Sequence, residues 1–202
     1  MYPIITISRE YGSGGHDIGQ KVAERLGIEF YDKNIMQQVV EESGYAQEFV
    51  NINSEYTRGV EQWFSGSIFT MNYLTNPQDQ IFAIQSKVVL ECARKGPCVI
   101  VGRCADYILE KAEIDTFNVF IHADVESRKK RILEREQELP EKAEKYLERR
   151  DKGRKAYYRY YTDRKWGGYK NYQLNLDSGY LGEDLCVDII VQSIKRLVKE
   201  AE

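Results

Sequence analysis

The chain has 202 residues, 42% of them hydrophobic and 30% charged, with a net charge of −3. That length suits one α/β domain with a small insertion, and the composition is that of a soluble globular protein. It contains no apolar run of membrane-spanning length, no basic segment ahead of an apolar one at MYPIITIS, and no CxxC pair among Cys92, Cys98, Cys104 and Cys186. The expectation is a cytoplasmic protein with reduced core thiols, no membrane partner and no zinc site.

Taken in chain order, residues 3–8 read as a buried, β-branched strand that runs into a glycine turn. Asp17 to Leu26 reads as a helix with Ile18, Val22, Ala23 and Leu26 on one face, closed by Gly27 as a left-handed cap. A short strand at 28–31 and a helix at 33–43 follow. Residues 44–78 hold many aromatics and read as broken helix. A strong helix spans 79–95, with Ile81, Ile84 and Val88 on its apolar stripe. Cys98 to Val101 is a continuous apolar strand, 102–111 a loop and short helix, 117–121 another apolar strand, and 125–138 a charged helix. Pro140 is expected to start a long helix that ends near Thr162. A Gly/Tyr loop at 163–172, a last strand at 173–177 and a C-terminal helix at 183–199 complete the chain.

Short apolar strands alternating with helices predict an α/β fold with a parallel sheet covered on both faces. Ligands bind such sheets at the carboxyl ends of the strands. Ser8-Arg9, Asp32, Gly102-Arg103, His122 to Asp124 and Asp177-Ser178 each follow a strand, so five loops should converge on one edge.

The first of these loops carries the most chemistry. Arg9-Glu10-Tyr11-Gly12-Ser13-Gly14-Gly15-His16 joins a strand to a helix, and its glycines free backbone N–H groups to turn around an anion at the helix N-terminus. The usual phosphate-loop pattern supplies a lysine and then a hydroxyl. Here Gly15 and His16 occupy those positions. Arg9 is the candidate to replace the lysine, with the basic segment further on as the alternative source of charge. Ser13 can offer a hydroxyl to phosphate or Mg²⁺. His16 can donate to a phosphate or simply lie at the surface, and Asp17 reads as the helix cap.

Gly102-Arg103 places an arginine at the sheet edge, where a guanidinium can clamp a phosphate with two parallel bonds. Residues 149–172 carry nine Lys/Arg against Asp151 and Asp163, a local charge of +7 that leaves the rest of the chain at −10. Such a segment suits a small anionic ligand better than a long nucleic-acid track. Arg128, Arg131 and Arg135 lie at helical spacing, as do Arg150 and Arg154, and mobile arginines can stabilise a phosphoryl group in transfer. For Lys129, Lys130 and Lys152 a solvated helix face is the better reading. Tyrosines among the basic residues can also stack on nucleic-acid bases, but several of them must pack on the sheet.

The runs SREYGSGGHDIG, FYDK, VIVGRCADYIL, VFIHADVESRKKRI, ERRDKGRKAYYRYYT and LNLDSGYLG, in this order, resemble the cytidylate kinase-like family of P-loop proteins. The resemblance implies a three-layer P-loop NTPase fold: a five-stranded parallel sheet flanked by helices. It implies one domain over 1–202, with a helical NMP-binding region at about 34–85 and a basic lid at about 125–165. It implies ATP and Mg²⁺ as cofactors, and transfer of the γ-phosphoryl group to a nucleoside monophosphate, CMP or dCMP first. Carried over to this chain, Gly12, Ser13 and Gly14 match the phosphate loop. Arg103 matches the arginine that holds the CMP phosphate, Arg131 falls where the family has lid-proximal arginines, and Arg150 and Arg154 match arginines of its R-D-x-x-R run. Departures are also plain. Gly15 replaces the loop lysine and Cys104 the acid after Arg103. His122 stands where an aspartate recognises the sugar, and Lys33 and Gln38 stand where a serine and an arginine are expected.

The expected site is therefore Arg9, Arg131, Arg150 and Arg154 for catalysis, and Gly12, Ser13, Gly14, Gly15 and His16 for the nucleotide. Asp32, Arg103 and His122 are expected to hold the acceptor, and Ser13 the metal. The alternatives are a P-loop domain that binds nucleotide without turnover, or a kinase for another small acceptor.

Overall fold

The run IITISR forms the central strand of a five-stranded, all-parallel sheet. The computed structural model describes residues 2–44, 77–136, 139 and 141–200. Its elements are β1 (Ile4–Arg9), α1 (Gly15–Leu26), β2 (Glu29–Tyr31), α2 (Lys33–Ser43), α3 (Pro77–Arg94), β3 (Cys98–Val101), α4 (Ala105–Lys111), β4 (Thr116–His122), α5 (Val125–Arg135), α6 (Ala143–Thr162), a 3₁₀ turn at Tyr169–Asn171, β5 (Leu174–Asp177), α7 (Ser178–Leu181) and α8 (Glu183–Glu200). The sheet order is β2-β3-β1-β4-β5, with Ile5 opposite Val99 on one side and Phe117 on the other. The expected α/β fold with a five-stranded parallel sheet flanked by helices is thus the fold observed. Most of the expected aromatic segment at 44–78 lies outside the described residues, as does Pro140.

Strands buried on both faces need apolar residues at consecutive positions, and β3 (Cys98, Val99, Ile100, Val101) is buried throughout. Alternation then splits β1 between two cores. Ile5 and Ile7 point to one face with Val99, Val101, Val119 and Ile121. Helix α1 covers it with Ile18 and Val22, and α8 with Val187, Ile190, Val191 and Ile194. Ile4 points to the other face with Ile100 and Phe120. There α2, α3 and α4 contribute Ile35, Ile81, Val88 and Leu109, and four aromatics join them: Tyr157, Tyr158, Trp166 and Tyr172.

Three boundaries differ from expectation. Helix α1 starts at Gly15, not Asp17, because Gly14 is the cap residue with φ 78°. Asp17 sits in the first turn instead, 3.5 Å from Arg135, where its charge still favours the helix dipole. Helix α5 ends at Arg135, and α6 begins at Ala143, with Glu141 and Lys142 non-helical. Gly27 closes α1 in the left-handed region, φ 65°, as its position after an apolar stripe predicts. All four cysteines are free and buried, and burial pushes the Cys98 thiol up to about 12. No helix among the described residues is long and apolar enough to cross a membrane.

Candidate functional site

The glycine loop is held from every side. Gly12 and Gly14 have φ of 76° and 78°, which only glycine adopts without strain. Space is equally limiting. A Cβ on Gly12 would lie 3.0 Å from the Arg128 carbonyl oxygen, and one on Gly14 would lie 2.5 Å from Oε1 of Glu183. Inside the loop, the Ser13 hydroxyl donates to the Glu10 carbonyl at 2.9 Å and is fully buried. The Ser178 hydroxyl donates to the Ser13 carbonyl at 2.6 Å. Ser13 was expected to face phosphate or metal. Its hydroxyl instead turns inward, because the tight loop needs that bond to close on itself.

Gly15, at the position of the usual lysine, shows why no side chain stands there. A Cβ on Gly15 would lie 2.6 Å from Cβ of Arg9. Arg9 therefore occupies the volume into which a side chain at position 15 would project. Its guanidinium runs on to Asp32, 3.8 Å away at the end of β2. Asp32 is buried, and its other oxygen meets Nδ1 of His16 at 2.5 Å. The helix start at α2 leaves Asp32 available for this, since the Asn34 carboxamide accepts from the backbone N–H of Asp32 and of Ile35. Three sequence candidates, Arg9, His16 and Asp32, thus form one cluster.

Beside the loop lies a cavity at the carboxyl edge of β1 and β3. Arg9, Arg103 and Arg154 line it, with Ser8, Tyr158 and Trp166. The backbone from Gly102 to Cys104 is left-handed at three successive residues, with φ of 74°, 63° and 53°. Two of the three are not glycine, a strained arrangement that persists only when its surroundings hold it. Gln85 of α3 helps to do so: fully buried, it donates to the Arg103 carbonyl at 3.1 Å and to the Tyr157 hydroxyl at 3.3 Å. The turn reverses the chain at the end of β3 and brings Arg103 to the cavity wall.

Helices α5 and α6 cover the loop. Asp151 accepts from the Tyr11 N–H at 2.8 Å and from Arg128 at 2.5 Å, and both partners of this ion pair are buried. The guanidiniums of Arg150 and Arg154 lie 4.5 and 5.3 Å from the Tyr11 ring centre. Arg154 also donates to the Arg9 carbonyl at 3.0 Å. Arg131 lies elsewhere. It donates to the Ser178 carbonyl at 2.9 Å and pairs with Glu183 at 3.3 Å, on the α8 side of the loop.

The expected residues are therefore brought together unevenly. Arg9, Arg103 and Arg154 share the cavity, Gly12 to His16 form the loop beside it, and Arg150 caps Tyr11. His122 is not among the residues lining the cavity; it ends β4, and its carbonyl accepts the Ser178 hydroxyl at 3.1 Å. Sequence reading missed Asp151, Glu183 and Gln85 as parts of this region, and it gave Arg128 to the phosphoryl group where the structure pairs it with Asp151. Only Gln85 left a signal: a polar residue on the apolar stripe between Ile81 and Val88.

Comparison with known proteins gives likeness in sequence and fold. The profile of the Cytidylate kinase-like family matches residues 4–180. An uncharacterized protein from Eubacterium ventriosum ATCC 27560 is 28% identical, with a TM-score of 0.68, over 96% of this chain and 98% of that one. Shikimate kinase from Bacteroides thetaiotaomicron is 14% identical, with a TM-score of 0.59, over 98% of this chain and 99% of its own. A gluconokinase from Sinorhizobium meliloti 1021 is 13% identical, with a TM-score of 0.55, over 99% and 98%. The last two share the fold. No curated protein matches the chain.

Proposed function

Because this chain belongs to the cytidylate kinase-like family, we propose that it is a phosphotransferase that moves the ATP γ-phosphoryl group to a small acceptor with an anionic group. A nucleoside monophosphate, CMP or dCMP, is the first candidate. The observation that carries the reading is the convergence of Arg9, Arg103 and Arg154 on one cavity beside a glycine loop that opens a helix. Phosphoryl transfer needs no covalent intermediate. Positioning and neutralisation of charge on the transferred oxygens do most of the work.

The residues present fit a nucleotide. Gly12 and Gly14, both with positive φ, leave bare backbone at the start of α1, the kind of helix N-terminus that takes an anion. On this reading the loop N–H groups hold the β- and γ-phosphates, and Arg9 supplies the charge that a lysine gives elsewhere. Arg103 and Arg154 orient the acceptor's anion. Helices α5 and α6 act as the lid, with Arg131 and Arg150 on either side of the loop, and the helices flanking 45–76 belong to the acceptor-binding region. Mg²⁺ supplies charge neutralisation on the phosphates. It usually keeps several waters and one or two carboxylates, and Asp32 is one of the carboxylates at this edge that would hold it.

Two observations favour a second reading, nucleotide binding without turnover: Arg9 is turned toward Asp32, and the Ser13 hydroxyl is buried and bonded inside the loop. One experiment separates the two. ADP formation from ATP and Mg²⁺ is measured with CMP, dCMP and other small anionic acceptors, and ATP binding is measured by calorimetry. Acceptor-stimulated turnover supports the kinase. Tight ATP binding with no turnover against any acceptor supports the binding domain. Arg9→Ala is expected to abolish ATP affinity or turnover while the circular dichroism spectrum stays unchanged; an unaffected protein would show that the charge comes from the lid.

A further inference from the structure

Tyr172 stands beside the cavity with its polar atom unexplained. Its side chain is 5% exposed, its ring packs 5.1 Å from that of Phe120, and its hydroxyl has no hydrogen-bond partner. The polar groups nearest that hydroxyl are those of Ser8 and Tyr158 and the Gly167 N–H. Buried polar groups are nearly always paired, and an orphan calls for an explanation. A phenylalanine would fill the same space and leave nothing unpaired.

Its neighbours say what the hydroxyl faces. Ser8 and Tyr158 both line the cavity that holds Arg103 and Arg154. Tyr158 donates to Oδ2 of Asp106 at 2.6 Å, and Asp106 is 2% exposed. With its one proton given to Asp106, Tyr158 turns only lone pairs elsewhere. This corner therefore asks for the opposite of what the arginines ask for. Guanidiniums take an anion, whereas the Tyr158 oxygen takes a donor. An alcohol satisfies the corner completely, because it donates to Tyr158 and accepts from Tyr172. A phosphate or carboxylate oxygen has no proton to give.

We propose that Ser8, Tyr158 and Tyr172 form a subsite for a hydroxyl group of the acceptor, set beside the Arg103 and Arg154 wall that takes its anion. Asp106 is a positioning residue that fixes Tyr158. The proposal rests on reading the cavity as the acceptor site, and it narrows the acceptor to an anion that also carries an alcohol.

Two phosphate esters with the same three-carbon chain test this: glycerol 3-phosphate and n-propyl phosphate, titrated calorimetrically into the intact protein. The wild type is expected to bind glycerol 3-phosphate about five- to tenfold more tightly, the scale of one or two neutral hydrogen bonds. Tyr172→Phe and Tyr158→Phe should bring that ratio close to one with n-propyl phosphate affinity unchanged. Asp106→Leu should lower the ratio, and Asp106→Asn, which still accepts from Tyr158, should keep it. Without ligand, Tyr172→Phe should melt at or above the wild-type temperature. Equal affinity of the two esters in the wild type would overturn the subsite alone, as would an intact ratio in Tyr172→Phe. A clear fall in melting temperature for Tyr172→Phe would show an internal partner for the hydroxyl and also overturn it. Failure of both esters to bind would overturn the acceptor-site reading of the cavity, and the subsite with it.

Discussion

The two faces of the sheet are built from different materials. Under α1 and α8 the core is almost wholly aliphatic: Ile5, Ile7, Val22, Val187, Ile190 and Ile194 pack with no polar atom to satisfy. Under α3, α4 and α6 the core contains Tyr157, Tyr158, Trp166 and Tyr172, and it also buries Gln85, Arg103 and Asp106. The aliphatic face can only stabilise. The aromatic face stabilises with its rings and presents hydroxyls and a strained arginine turn to the cavity at the sheet edge. Tyr and Trp suit this double role because each has an apolar body and a polar tip. One sheet thus separates a face that anchors the fold from a face that, on the proposed reading, recognises a ligand.

The largest expected effect sharpens this contrast on the aliphatic side. Ile190 is fully buried, so Ile190→Ala should cost about 3 kcal/mol of stability in urea denaturation, with acceptor binding unchanged below the transition. Loss of ligand affinity without loss of stability would break the division of labour. A smaller effect is expected where Arg9 fills the space over the loop. Gly15→Ala should cost about 2 kcal/mol, the scale of overpacking, because the new Cβ meets that of Arg9. Arg9→Gly, which removes that atom, should relieve most of this in a double-mutant cycle; additive costs would show that position 15 is crowded by something else.

The smallest effect concerns Asp106 on the aromatic face. Burial raises its pKa, and the Tyr158 hydrogen bond and the Arg164 charge only partly oppose the rise. The native state then holds this proton more tightly than the unfolded chain does. Its contribution to stability is greatest below the unfolded value near 3.8 and declines as pH rises from there through the raised native value. Asp106→Asn should lack that decline, so the variant should gain on the wild type as pH is raised from 3 to 7 in parallel denaturation curves. Parallel pH profiles would mean that Asp106 titrates as an ordinary carboxylate.

Much of the fold was legible in the chain. The strand at Cys98–Val101 and the helices at 33–43 and 183–199 depend on local runs and periods, and they appear within a residue of where those patterns put them. Gly27 was readable because a helix must end somewhere and glycine makes that ending easy. The site was legible in outline: Arg9, Asp32 and Arg103 follow strands, and parallel strands bring their ends to one edge. Its inner wiring was not. Asp151 holds the Tyr11 N–H from 140 positions away, and no local pattern distinguishes it from an acid on a solvated helix face. The inward turn of Ser13 was equally hidden, since the same G-S-G spelling serves a hydroxyl facing in or out.

By itself the sequence determined what depends on neighbours along the chain: backbone freedom at Gly12 and Gly14, the apolar strands, and the positive charge of the 149–172 segment. Tertiary structure alone decided which polar groups meet. It set Arg9 in the space beside Gly15, gave His16 to Asp32, and drew Tyr158 and Tyr172 out of many similar tyrosines to stand beside Ser8. The reason is physical. Periodicity fixes which way a side chain points from its own strand or helix, whereas burial and hydrogen bonding depend on what the sheet order brings opposite it.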